Sequence, residues 1–298
     1  MPRFEEQGIK LAAISYDSEA ILKFFADRLG IGFPLLADPH SVVIRAYGLF
    51  NAEAAGFFKG MARPGYFFID AAGTIKEKFF EPKYRGRHSG NSVISKLFAE
   101  LGSEVTETVE APHLQVNVGQ SDHAGIPGTR ITLTAAIRLP PDVHVYAPGT
   151  PGYKPITLAI EPQPEFKLQS VTYPSAKILY LPAIRERVAV FERTFRISQD
   201  AIVSSAADFA SSLGPDGKTF TIQGKLEYQA CDSETCFLPT SVPIQWRFRA
   251  LPLDRRRTPG GDPTQINLSL RKTQLADHSE DQFLNLLGRL SSPRFEWE

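Results

Sequence analysis

The chain has 298 residues, 42% hydrophobic and 22% charged, with Lys plus Arg and Asp plus Glu at 33 each. This length and composition suit two globular domains with a sizeable core, and the charge balance offers no field for nucleic acid or an anionic membrane. Two cysteines exclude a disulfide-framework scaffold and a four-thiolate metal site. The six histidines show no pair at ligand spacing and glycine-rich phosphate loops are absent, so neither a metal nor another cofactor is predicted.

Residues 1 to about 105 alternate strand and helix signals at α/β segment lengths. The run from Ile9 to Ser15 is nearly all apolar, as buried parallel strands are. Asp17 or Ser18 can cap a helix whose face carries Ile21, Leu22, Phe24, Phe25 and Leu29, and Gly30 fits its end. A second strand over Pro34 to Ala37 precedes a helix from Ser41 to Tyr47. Tyr66 to Ile69 and Thr74 to Phe80 read as hairpin partners around Asp70 to Gly73, and a last helix is predicted from Gly90 to Leu101.

A polar, acidic linker is expected from Thr106 to Pro112, and an all-β domain from 110 to 250. Thr129 to Leu139 alternates with period two, and strand signals continue over Val188 to Phe195, Phe220 to Ile222, Lys225 to Tyr228 and Ile244 to Phe248. Prolines and glycines punctuate these strands at spacings suited to a β-sandwich. Residues 253–298 read as a mostly flexible tail, with one short amphipathic helix over Ser279 to Leu290.

Four residues separate Cys231 from Cys236, with strand signals on both sides. That spacing sets the cysteines opposite each other at a hairpin mouth, where facing Cα atoms lie about 4.5 Å apart, close enough for a bridge. Asp232 and Glu234 would raise a nearby thiol pKa by like-charge repulsion. A staple closing so small a loop removes little chain entropy, so redox exchange is the preferred reading.

Two resemblances extend this reading. The segments Phe4 to Asp17, Pro34 to Pro39, and above all Arg63 to Asp70 followed by Gly73, resemble the peroxiredoxin-like alkyl hydroperoxide reductase/thiol-specific antioxidant family of the thioredoxin fold, over roughly residues 3 to 100. The resemblance implies a cis proline at Pro64 and a substrate-orienting role for Arg63, with a surface ion pair as the alternative. It also implies a nucleophilic cysteine in a central strand and helix ahead of Phe4, whereas residues 1 to 230 contain no cysteine. We therefore expect an incomplete thioredoxin-like sheet whose neighbouring strands lack ladder partners, and either an upstream start or a degenerate remnant.

Tyr228 to Pro239, with its Tyr-Gln-x-Cys and Cys-aromatic-x-Pro ends, resembles the N-terminal periplasmic domain of the thiol:disulfide interchange protein DsbD, an immunoglobulin-like fold. Val143 to Tyr146 and Tyr173 to Glu192 are similar to flanking segments of that family. The resemblance implies Cys231 and Cys236 as the catalytic pair, with His144, Tyr146, Tyr228 and Ile184 lining the site. For His144 and Tyr146, ordinary sheet packing is the alternative. The family's acidic pair and aromatic cap have no counterpart at Pro182 to Ile184.

The sequence thus predicts a thiol:disulfide oxidoreductase exchanging electrons with thiol or disulfide proteins such as a thioredoxin-like donor or acceptor, with no nucleic acid and no membrane span in this chain. The alternatives are a thiol peroxidase whose cysteine lies upstream, and a non-catalytic partner-binding module. By resemblance the compartment is the periplasm. The segment MPRFEEQGIK lacks a signal-peptide layout, which would make the chain cytoplasmic were this start genuine.

Overall fold

The computed structural model describes residues 2–56, 59–80, 86–98, 103–181, 185–204 and 213–252. The predicted tail helix therefore lies outside the described residues. The chain divides into one unit built on Met1–Tyr84 and a second spanning Arg85–Leu253.

The first unit runs α1 (Pro2–Glu6), β1 (Ala13–Ser15), α2 (Glu19–Leu29), β2 (Leu35–Ala37), α3 (Val42–Ala46), β3 (Gly65–Ile69) and β4 (Ile75–Phe80). Strand β1 pairs in parallel with β2, and β3 pairs antiparallel with β4. Among the described residues neither pair gains a third strand. The cost is exposure: Ile14, in what reads as a buried strand, is 39% exposed. Helix α2 ends at Gly30, whose left-handed backbone closes the last turn by donating its N–H to Ala26 O. Ser18 occupies the N-cap position without a side-chain cap bond. Helix α3 is instead capped by Asp38, whose carboxylate accepts from the Val42 and Ile44 amides at 2.8 and 2.9 Å.

Gly65 opens β3 because the Phe80 ring lies over it, where a Cβ would come within 1.9 Å of that ring. Pro64, just before it, does not meet the cis expectation: no peptide bond among the described residues is cis. The trans form is favoured by about 0.5–1 kcal/mol before any tertiary bias.

The second unit begins earlier than the composition suggests. It contains β5 (Arg87–His88), α4 (Gly90–Leu97), β6 (Glu104–Ala111), β7 (Leu114–Gln120), β8 (Ala124–Gly125), β9 (Thr129–Arg138), β10 (His144–Tyr146), β11 (Thr157–Ile160) and β12 (Phe166–Thr172). It continues with β13 (Lys177–Leu181), β14 (Glu186–Glu192), β15 (Thr194–Val203), β16 (Thr219–Tyr228), β17 (Ala230–Cys231) and β18 (Thr240–Ala250). The largest sheet has the order β12-β15-β9-β7-β6, with β5 joining β9 in parallel. A second has the order β11-β16-β18-β8, and a third β13-β14-β10-β17.

Three expectations are corrected here. The stretch read as a linker is the edge strand β6, paired with β7; a register shift between Val105 and Glu107 interrupts its alternation, and only Val109 and Ala111 of this strand pack on the core. The helix read as the end of the α/β half is shorter than predicted, and β5 and α4 belong to the β-rich unit. Ser89 caps α4 by accepting from the Ser92 amide at 2.9 Å. Behind it, a buried chain runs from His88 Nδ1 to Ser92 Oγ (3.1 Å), to Thr132 Oγ1 (3.0 Å), to Asp200 (2.8 Å), where Lys96 and Arg130 also pair. Burial pushes the Asp200 carboxyl up, but Lys96, Thr132 and Arg130 outweigh it and hold the group low. Finally, the Val188–Phe195 run is not one strand. Arg193 adopts a left-handed backbone (φ 58°), and the chain passes there from the third sheet (β14) into the largest (β15).

One core joins the three sheets. It includes Val116, Ile131, Leu133, Ile137 and Ile197 of the largest sheet, Ile222, Leu226 and Trp246 of the second, and Val145, Phe191 and Ala230 of the third. Trp246 is fully buried and donates its indole N–H to Gly119 O at 2.9 Å, so its one polar atom is satisfied inside the core.

Candidate functional site

The third sheet has two faces, and strict alternation decides what each carries. Val145, Ala189, Phe191 and Ala230 turn towards the main core. Their neighbours face the other way. Cys231, Tyr146, Val188 and Val190 form a separate buried cluster, with Tyr153, Leu179 and Leu181 packed against it. His144 lies in the same register, as Cα partner of Cys231 on one side and of Glu192 on the other.

Cys231 and Cys236 are joined in a disulfide with Cα atoms 4.1 Å apart. They form an antiparallel bridge flanked by Phe237 N–H to Ala230 O and Asp232 N–H to Thr235 O, both 2.9 Å. This is the non-hydrogen-bonded facing position that the spacing predicted. The turn is held by the Asp232 carboxylate, which accepts from the Glu234 and Thr235 amides at 2.8 and 2.7 Å; these bonds hold its pKa below the usual carboxylate range. The two cysteines differ sharply in access: Cys231 is 1% exposed, whereas Cys236 is an exposed residue.

Tyr146 brings its hydroxyl to 3.7 Å from Cys236 Sγ. Its ring stacks on Tyr153 at 4.1 Å and meets the His144 ring edge-on at 5.5 Å. Tyr153 in turn donates to Glu186 Oε2 at 2.7 Å, a bond that pushes its pKa up to about 12. Burial, aided by Glu186, raises Tyr146 as well, so both phenols stay protonated donors.

The structure therefore gathers Cys231, Cys236, His144 and Tyr146 on one face. It does not bring Tyr228 there. Strand alternation sends that ring, 1% exposed, into the main core, where its hydroxyl donates to Pro112 O at 2.6 Å. Ile184 lies outside the described residues. Arg63 and Pro64 stand immediately before β3 in the first unit, with Arg63 exposed. Sequence reasoning missed Tyr153, Leu179, Leu181 and the carboxylates Glu186 and Glu192. The last two could have been found by counting in twos along Glu186 to Glu192, which alternates charged ends with Val188 and Val190. Tyr153 sits in an irregular loop and left no period to read.

The comparisons with known proteins meet both resemblances. Residues 1–78 match the model of the AhpC/TSA family. The alkyl hydroperoxide reductase E of Mycobacterium tuberculosis and that of Mycobacterium bovis are each 39% identical to this chain over 88 residues. This overlap is 29% of this chain and 53% of theirs, so the chain spans about half the length of these curated relatives. The first unit thus has a thioredoxin-like pattern of the AhpC/TSA type. Among solved structures, the N-terminal periplasmic domain of ScsB from Proteus mirabilis is 13% identical, with a TM-score of 0.33 over 47% of this chain and 49% of that one. The reduced N-terminal domain of DsbD from Neisseria meningitidis is 11% identical, with a TM-score of 0.28 over 44% of this chain and 88% of that one. At these scores the two likenesses stand as findings alone, and the β-rich unit is read from its own geometry.

Proposed function

We propose that the Cys231–Cys236 disulfide is redox-active and exchanges electrons with the thiols of a partner protein through Cys236. The observation that carries this reading is the asymmetry of the pair: one cysteine buried, the other exposed, across a tight turn. Exchange needs a sulfur that an incoming thiolate can reach and a second sulfur that can leave. Attack on Cys236 breaks the bond to Cys231, which takes the electron pair and stays in place, because β17 is held by β10. The hydroxyl of Tyr146 is placed to donate to Cys236 once that sulfur becomes a thiolate.

The β-rich unit is proposed to be immunoglobulin-like, in keeping with mainly antiparallel sheets around one core and with the sequence resemblance. The compartment proposed is the oxidising periplasm, where an accessible disulfide persists. Residues 1–230 contain no cysteine, so the thiol chemistry available in this chain is that of the Cys231–Cys236 pair.

The test is the reduction potential of the pair, measured by alkylation and mass in graded thiol buffers. A carrier should poise above roughly −270 mV, while a value below about −300 mV would mark an inert staple and overturn the reading.

A further inference from the structure

We propose that His144 is the base that accepts the Cys231 proton when a mixed disulfide on Cys236 is resolved; this inference rests on the redox reading above. His144 and Cys231 are facing partners on β10 and β17, a placement that brings Cβ atoms to about 5 Å on the same side of a sheet. His144 is 4% exposed, and its Nε2 is buried without a hydrogen-bond partner. Leaving a buried polar atom unpaired is costly, and the neighbouring polar groups do not share that condition. Tyr153 is bonded to Glu186, Asp232 to two amides, and Glu192 to Lys177 at 2.6 Å.

The unpaired nitrogen has a use only when the disulfide opens. In the oxidised protein neither sulfur carries a proton. In the dithiol form Cys231 is a buried thiol, and burial disfavours its ionisation. The charged and titratable groups around His144 are Glu192 on β14, Asp232 after β17, and Tyr146 on β10. Burial holds the imidazole pKa below its ordinary value against the opposing pull of Glu192 and Asp232, so the ring is neutral and able to accept at neutral pH. Tyr146 cannot serve, since its own pKa is raised.

The step balances as follows. The Cys236 thiolate attacks a partner disulfide, and the partner's first sulfur leaves as a thiolate. The Cys231 thiol then gives its proton to His144 Nε2 while its sulfur electron pair forms the bond to Cys236 Sγ. The bond from Cys236 to the partner breaks, and the electron pair departs on the partner's second sulfur. His144 returns the proton to solvent. The protein dithiol is oxidised and the partner disulfide is reduced.

The experiment mixes the reduced full chain with oxidised glutathione and follows formation and decay of the Cys236 mixed disulfide by acid quench and mass, from pH 5 to 10. In His144→Gln, decay should slow about 100-fold at pH 7 and recover as pH rises towards the range where Cys231 ionises unaided. Formation should keep its wild-type rate. Wild-type decay in the variant, with an unchanged pH profile, would overturn the assignment. If the variant does not fold, the wild-type profile decides. A break at acid pH supports His144, and a break only at about 8.5 or above, the range of a free thiol, overturns it. Failure of the wild-type protein to form the mixed disulfide would instead refute the redox reading.

Discussion

Strands β1 and β9 show how differently the two units use an apolar run. Both read as core strands, yet among the described residues β1 has a partner on one edge only and leaves Ile14 39% exposed, while β9 lies between β7 and β15 with Ile131, Leu133, Ala135 and Ile137 at 0%. Local sequence makes the strand in each case. Neighbours on both edges and both faces make it a core. The difference teaches that an element can be specified where its packing is not.

The sharpest way to break this contrast concerns chemistry. If the thiol chemistry resides in the β-rich unit, Cys236→Ser should abolish exchange with a small disulfide, whereas Arg63→Ala in the first unit should leave it at the wild-type rate. Loss of exchange in the arginine variant would show that the two units share one site.

The next largest effect concerns stability. Ile137→Ala should cost about 2–5 kcal/mol, the usual range for truncating a fully packed aliphatic side chain. Leu22→Ala on α2 should fall at or below the bottom of that range, because the unit around it is less enclosed. Urea titrations followed by the fluorescence of Trp246 in a Trp297→Phe background and by circular dichroism should separate the two, with the leucine variant moving only the earlier transition. Equal costs would erase the contrast.

A further effect, spread over a range of pH, comes from His88, whose burial lowers its pKa from 6.5 to about 4. Between those values the unfolded chain binds a proton that the folded chain does not. Stability is therefore fully present above pH 6.5 and declines as the pH falls towards 4, by up to about 3 kcal/mol. His88→Gln should flatten that slope in the later unfolding transition. A slope that survives the substitution would assign the acid sensitivity elsewhere.

What could be read from the sequence follows the same division. The alternation over Thr129 to Leu139 and the Cys231–Cys236 spacing carry their own periods, and both took the expected form. Strand β6 was hidden because a register shift between Val105 and Glu107 interrupts its alternation amid Thr and Glu side chains. The Arg193 switch was hidden because one residue in a left-handed conformation leaves the alternation around it intact. The site's second layer, Tyr153 on Tyr146 and Glu186 on Tyr153, joins residues 7 and 33 positions apart, and no local pattern encodes contacts made by an irregular loop.

The buried chain from His88 to Asp200 fixes where this molecule can be taken apart. A gene fragment beginning at residue 105, where the composition changes, would discard Lys96, His88 and Ser92 together. Asp200, 7% exposed, would keep Arg130 and Thr132 but lose its nearest cation, and a layer of buried hydroxyls would open to water. As an exchangeable cassette, the β-rich unit has to carry the segment from Gly86 onward, because β5 pairs with β9 and α4 supplies Ser92 and Lys96 to the buried chain.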